Sequence, residues 1–285
     1  MAREPQSAAE YDDRTTAAVK SVLIEIGQIL GSFQGKFAVI GGAVPWLLLD
    51  NPEMPRVGTF DIDLSLNAEA LGHGEYATLV ESLMSAGYRR REGLRRFQLV
   101  RNVSATEEGA PPIEVLVDFL MPKDAEIVKN IPPLVRDFAV QRADGADLAL
   151  RFYQMVAIDG PMPDGGINRV EIAVASIPAL LAMKGYAIHN RHKQKDAYDV
   201  YYCVRNFPGG PGALAEACRP LLDAEGAAGF AMIAEKFDGP EGYGPTCVRR
   251  FVEASQIQGE RTPDQWQTDA FGQVDAWLRA LGLRA

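Results

Sequence analysis

The residues from Phe37 to Leu66 constrain this chain more than any other stretch. Phe37 to Ile40 is a continuous apolar run of the buried-strand kind, and Gly41-Gly42 stops it. Pro45 suits the first turn of a following helix, with Trp46 to Leu49 as its apolar surface. The backbone N–H groups of a Gly-Gly turn leading into a helix make an anion site. From Phe60 to Leu66 the side chains then alternate: Phe60, Ile62, Leu64 and Leu66 face one way, Asp61, Asp63 and Ser65 the other. Two carboxylates one pleat apart stand roughly 6 to 7 Å apart at their backbones. They repel unless water solvates them or a hard divalent cation lies between them, and Mg²⁺ (or Mn²⁺) is the usual occupant. The bland alternative is a half-exposed edge strand. The Gly-Gly turn ahead of the pair favours the metal.

A third carboxylate appears in the strand-like run Ile113 to Leu120. Ile113, Val115, Val117 and Phe119 form one face, while Asp118 lies on the other between Leu116 and Leu120. An ionised carboxylate there is costly unless it is paired, hydrogen-bonded or metal-bound. Asp118 is therefore the natural companion of Asp61 and Asp63, as metal ligand and as a candidate base for an attacking hydroxyl. Glu114 is read as structural. Such a triad suits phosphoryl or nucleotidyl transfer assisted by two metals.

A second group of polar residues lies further on. Ser176 can cap a helix from Ile177 to about Asn190. Ile177, Leu180, Leu181, Lys184, Ala187 and Ile188 fall on one stripe of it, so Lys184 occupies a core position. Lysine there either snorkels or holds a phosphate, and the neighbouring chemistry favours the phosphate. Another helix carries Ala197, Val200, Tyr201 and Val204 inward, with Asp196 and Asp199 on an adjoining face. Lys193 and Lys195 just ahead of them also allow a plain salt-bridged helix start.

Elsewhere, Thr15 to Leu30 reads as an amphipathic helix and Gly74 to Ala86 as another. Arg56 lies in the loop before the first aspartates, where it can meet a phosphate or pair with Glu53. Arg89, Arg90, Arg91, Arg95 and Arg96 read either as a solvated strand pair or as a dock for a polyanion. Phe138 to Gln141, Leu148 to Met155 and Val170 to Val174 look β-like, with a flexible turn from Asp159 to Gly166. The tail from Pro211 is helical, with Trp266, Phe271, Val274 and Trp277 as packing. A net charge of −9 argues against non-specific coating of nucleic acid, though not against a local basic patch. The three cysteines, widely spaced and odd in number, point to a reduced, cytoplasmic protein. Neither a signal peptide nor a run of membrane-spanning length is apparent.

Taken together, Gly41-Gly42, Arg56-x-x-Thr59-x-Asp61-x-Asp63-Leu64 and Val117-Asp118 resemble the DNA polymerase β-like nucleotidyltransferase superfamily. The run Lys184-x-x-Ala187-x-x-x-Arg191-x-Lys193-x-Lys195-Asp196-x-x-Asp199 is similar to the AbiEii-type nucleotidyltransferases, the toxins of type IV systems. The resemblance covers roughly residues 36 to 206. It implies an α+β fold: a nucleotidyltransferase core over 1–175 with a mixed sheet flanked by helices, then a helical C-terminal domain over 176–285 completing the active-site cleft. It further implies Mg²⁺ on Asp61 and Asp63, Lys184 on the triphosphate of an NTP, and Asp199 as a further catalytic acid, with Asp196, Gly41, Gly42 and Arg56 near the nucleotide. The implied reaction moves an NMP to an RNA end (tRNA among the options) or a protein hydroxyl, with an antitoxin protein as partner. Many members carry Gly-Ser in the turn where this chain has Gly42-Ala43, which removes a hydroxyl but keeps the backbone donors. Two other readings stay open, a small-molecule (aminoglycoside-type) nucleotidyltransferase and a non-catalytic nucleotide-binding module.

Overall fold

An apolar strand flanked by alternating ones calls for a sheet with a buried centre, and that is the arrangement found. The computed structural model describes residues 13–49, 54, 59–67, 70–71, 74–104, 111–124, 140–222, 224–257 and 259–284. Strand β1 (Phe37–Ile40) is buried along its whole length. β2 (Asp61–Leu66) pairs with it antiparallel, and β7 (Ile167–Ala175) pairs with it parallel on the other side. With β3 (Gln98–Val103), β4 (Ile113–Pro122) and β6 (Tyr153–Pro161) the order is β3-β4-β2-β1-β7-β6. A short β5 (Gln141–Ala143) pairs with β4 beyond the start of β3 and makes seven strands in a mixed sheet.

Helix α1 (Asp13–Ile29) covers one face, as its stripe of Val19, Val22, Leu23 and Ile26 requires. These side chains bury against Ile62, Leu64, Val115, Val117 and Phe119 in a common core, each contributing about 1.5–3 kcal/mol. Arg101 of β3 points to the same face, where Glu25 of α1 accepts two bonds from it at 2.9 Å. The opposite face carries Asp61, Asp63, Ser65 and Asp118. Helix α2 (Ala43–Leu48) follows the Gly-Gly turn, and α3 (Glu75–Ser85) follows β2. The six-residue α4 (Ala146–Arg151) packs on β1, β2, β4 and β7, where its Ala146 carbonyl accepts a bond from Ser65 Oγ at 2.9 Å. That covers the far end of the carboxylate face, while Asp61, Asp63 and Asp118 stay half-exposed.

Three expectations need correction. Leu148 to Arg151 is helical rather than extended. Gly145 in a left-handed conformation (φ 74°) turns the chain, Asp147 sits in the first turn of α4 and Arg151 in its last, which suits the helix dipole at both ends. Asp159 to Pro161 belongs to β6, and the turn is confined to the residues after it, closed by Met162 N–H to Gly166 O at 3.0 Å. Arg89 to Arg96 is not a strand pair: only Arg89 bridges to Val100, and the rest is an exposed loop. Arg56 and Glu53 lie outside the described residues, as do residues 138 and 139.

The described residues fall into two compact units. The sheet unit takes 13–43 and those between 59 and 175; the other takes 44–49, 54 and the residues from 176 onward. This second unit is helical: α5 (Ile177–Asn190), α6 (Gln194–Asn206), α7 (Gly210–Cys218), α8 (Ala224–Lys236), α9 (Tyr243–Ser255) and α10 (Pro263–Leu281). α5 and α8 approach so closely that a Cβ on Gly185 would lie 1.8 Å from Gly229 O, so neither position has room for a side chain. α10 starts in a capping box of Thr262 and Gln265 and buries Trp266, Val274 and Trp277. Among the described residues no helix is long and apolar enough to cross a membrane.

Candidate active site

Strand register builds the first cluster. Asp61 and Asp63 share a face of β2 by alternation, and Asp63 is the register partner of Asp118 on the parallel strand β4. Paired residues of adjacent strands point to the same side, about 4.8 Å apart. Gln98 on β3 is in turn the partner of Asp118, and Ile40 on β1 the partner of Asp63. Gln98, Asp118, Asp63 and Ile40 thus form one row across the sheet, with Asp61 one pleat along from Asp63.

Each carboxylate has a defined setting. The buried Thr59 hydroxyl donates to Asp61 Oδ1 at 2.5 Å and to its carbonyl at 3.1 Å. Gln98 Nε2 donates to both oxygens of Asp118, at 2.9 and 3.2 Å. Asp63 lies against the backbone of Gly41: a Cβ there would stand 1.9 Å from Asp63 Oδ2. Gly41 also has φ of 72°, which other residues adopt only at a cost. Glycine is required at 41 for both reasons.

Among the described residues no three acidic, histidine or cysteine side chains are set closely enough to cage a metal by themselves. Mg²⁺ seldom uses such a cage; one or two carboxylates, waters and substrate phosphates complete its octahedron. Half-exposed carboxylates of hard-oxygen chemistry, set in a row on a sheet, fit that mode of binding.

The second cluster is different in kind. Lys184 of α5 donates to Asp196 Oδ1 and to Asp199 Oδ2, both at 2.7 Å. Lys195 donates to both oxygens of Asp199, at 3.0 and 3.1 Å, and Arg191 reaches Asp196 through Nε at 2.7 Å and Nη2 at 3.0 Å. Lys184, Lys195, Asp196 and Asp199 are all at most 8% exposed. Burial pulls the Lys184 ammonium toward neutrality, but Asp196 and Asp199 outweigh it and hold its pKa above the ordinary lysine value. Burial likewise opposes ionisation of Asp196 and Asp199, yet Lys184 with Arg191, and Lys184 with Lys195, keep both below the usual carboxylate range. Three cations around two carboxylates leave the cluster one positive charge. Lys184 does lie inward, as its stripe predicts; its partners are the two aspartates of the next helix.

The structure therefore brings Asp61, Asp63 and Asp118 together with Gly41 in the sheet unit, and Lys184, Asp196 and Asp199 together in the helical unit. Gln98 and the buried Lys195 are the functional candidates that residue patterns passed over. Gln98 to Val103 does not read as a strand, since its apolar residues do not alternate, and its register with Asp118 has no signal in the sequence. For Lys195 the signal was its spacing of four from Asp199, present but shared with any salt-bridged helix.

The profile of the AbiEii family, described as nucleotidyl transferase AbiEii toxin of type IV TA systems, matches residues 59–272. Solved structures similar to the chain include an antigenic nucleotidyltransferase-like protein from Paracoccidioides brasiliensis, 14% identical, TM-score 0.43, covering 84% of this chain and 94% of that one. JHP933 from Helicobacter pylori is 10% identical, TM-score 0.48, over 95% of both chains. The nucleotidyltransferase toxin MenT4 from Mycobacterium tuberculosis is 15% identical, TM-score 0.42, over 95% of this chain and 89% of that one. No curated protein matches the chain significantly. The family match spans well over half of the sequence and takes in Asp61, Asp63, Asp118, Lys184, Asp196 and Asp199; the chain belongs to the AbiEii nucleotidyl transferase toxin family and is a nucleotidyltransferase.

Proposed function

We propose that the enzyme moves an NMP from an NTP to the hydroxyl of an RNA end or of a protein side chain, with Mg²⁺ or Mn²⁺ held by Asp61 and Asp63 together with waters and substrate phosphates, and with Asp118 beside them. The row of carboxylates set by the Asp63–Asp118 register carries this reading. In the reaction the acceptor oxygen attacks the α-phosphorus, the bond to the β-phosphate oxygen breaks, and pyrophosphate leaves. The bound metal supplies charge neutralisation on the phosphates. Asp63, pinned against Gly41, and Asp61, oriented by Thr59, hold it in place. Asp118, oriented by Gln98, faces the acceptor hydroxyl and takes its proton. Gly41 and Gly42 offer backbone donors to a phosphate, and Arg56 a further cation. For Lys184, Asp196 and Asp199 in the helical unit the proposed role is nucleotide binding, and with Lys195 and Arg191 counted their cluster carries the positive charge a phosphate seeks. Membership of a type IV toxin family supports an antitoxin protein as partner.

A small-molecule acceptor of aminoglycoside type is the second reading, favoured by the net charge of −9, which attracts a cation. The test is incubation with each α-labelled NTP, Mg²⁺ and total bacterial RNA plus protein, beside the Asp61→Asn, Asp63→Asn double variant. Label on RNA or protein that needs both aspartates and vanishes in EDTA is expected. Undiminished transfer by the double variant would overturn the metal assignment, and label on an added aminoglycoside alone would select the second reading.

A further inference from the structure

Gln98 stands between Asp118 and a loop of exposed arginines, and its side chain is bonded to both. Oε1 accepts the N–H of Arg95 at 3.0 Å, while Nε2 donates to the two oxygens of Asp118. Chemistry fixes the amide's orientation. Turned over, it would set its oxygen against a carboxylate and its amino group against an N–H. The backbone N–H of Gln98 also donates to Arg95 O at 3.1 Å, so the loop's end is tied twice to the same residue.

The loop itself carries five exposed guanidinium groups in eight residues: Arg89, Arg90, Arg91, Arg95 and Arg96. Arg91 pairs with Glu114 at 2.8 Å, and Arg95 lies 5.9 Å over the Phe97 ring. Even with Glu92 and Glu114 counted, this part of the sequence holds more positive than negative residues, in a chain whose net charge is −9. Gln98, Asp118 and Asp63 occupy neighbouring strands, so the loop begins about 10 Å from Asp63, two strand spacings away.

We infer that Gln98 is a positioning residue: it couples the arginine loop, on which a nucleic-acid acceptor seats its phosphates, to the orientation of Asp118. The inference rests on the reading of Asp61, Asp63 and Asp118 as the transfer site. Guanidinium groups fork onto phosphate oxygens and repel a cationic small molecule, so the surface selects a polyanionic strand as acceptor. Gln98 meets none of the reacting atoms. It acts through Asp118.

Two measurements made in EDTA, without turnover, test it. In the first, anisotropy of a fluorescein-labelled 20-nucleotide single-stranded RNA is titrated across a KCl series. The Arg89→Gln, Arg96→Gln double variant should lower the slope of log K against log salt by about 1.4, and weaken binding about tenfold near 0.15 M, for two lost phosphate contacts at about 0.7 each. Asp63→Asn should bind as the wild type does, so failure of the metal-site reading and failure of docking give different results. An unchanged salt slope in the arginine variant overturns the docking surface. In the second, the Gln98 side-chain amide resonance, assigned by its absence from Gln98→Leu, should move when the RNA is added to wild type and stay still in the arginine variant. A resonance that ignores RNA overturns the coupling. Where transfer is measured, Gln98→Leu and Gln98→Glu should lower kcat tenfold or more with the KM for RNA unchanged; a loss confined to KM would overturn the positioning role.

Discussion

Replacing Gly41 by alanine tests the site at its tightest point. Two costs are visible in the geometry. A φ of 72° costs an L-residue about 1–2 kcal/mol relative to glycine. The new methyl would also stand 1.9 Å from Asp63 Oδ2, and β1 and β2 cannot part because Ile40 and Asp63 are ladder partners. The carboxylate must swing aside by more than 1 Å, roughly, leaving its rotamer at a cost of about 0.5–1.5 kcal/mol. Urea denaturation followed by circular dichroism should therefore show a loss of about 2–3 kcal/mol. Displacing a reacting group by about 1 Å costs on the order of a hundredfold in rate, so NMP transfer should fall by about that factor. Gly31→Ala is the control: a Cβ there meets nothing within 4 Å, and stability should move by less than about 0.5 kcal/mol. Adding Asp63→Ala to Gly41→Ala should recover about 1 kcal/mol, because the clash disappears while the backbone cost stays. A Gly41→Ala protein within about 0.5 kcal/mol of wild type and fully active would refute both the placement of Asp63 and its role.

Lys184→Met should destabilise by about 3–5 kcal/mol in the same denaturation assay, since it leaves Asp196 and Asp199 buried with their central cation gone. The triple variant Lys184→Met, Asp196→Asn, Asp199→Asn should regain most of that loss. The pH dependence follows from the directions of the shifts. Asp196 and Asp199 titrate lower in the folded state than unfolded, so their contribution is present above about pH 4 and is lost as pH falls below it. Lys184 titrates higher when folded, so its share is present below about pH 10.4 and is lost as pH rises through the folded value. The melting temperature of wild type should accordingly drop more steeply below pH 4 than that of the triple variant; parallel curves would contradict the network. Gly185→Ala drives a methyl to 1.8 Å from Gly229 O, and should unfold α5 and α8 apart or cost more than about 4 kcal/mol, read as lost helical signal on mild heating.

How much of this was legible depends on the range of the interaction. Period-two alternation from Asp61 to Leu66 and from Ile113 to Leu120 gave both strands and the face of every carboxylate, because that information is local. The pairing of Asp63 with Asp118 joins residues 55 apart in sequence, and only the assembled sheet sets it. Leu148 to Arg151 misled because leucine and alanine beside Phe152 and Tyr153 read as one apolar run; the left-handed Gly145 and the end charges of α4 decided for helix. Lys184 announced itself as a polar residue on an apolar stripe. Its partners did not, since Asp196 and Asp199 meet it only once α5 packs against α6.

Residue type is a poor guide to role, and the two aspartate clusters show why. Asp196 and Asp199 receive their bonds from Lys184, Lys195 and Arg191, all charged, so their negative charge is more than balanced inside the fold. Asp61 and Asp118 receive bonds from Thr59 and Gln98, neutral donors that orient a carboxylate, and both stay half-exposed. A dication gains little from the first pair, because Coulomb attraction depends on the charge left over after local pairing. The surplus in the helical unit has the opposite sign and suits a polyphosphate. A magnesium nucleotide presents both needs at once, a cation seeking hard oxygens and phosphates seeking positive charge. The two clusters differ in this respect: one is a row of half-exposed carboxylates on a sheet, the other is positive and buried among helices.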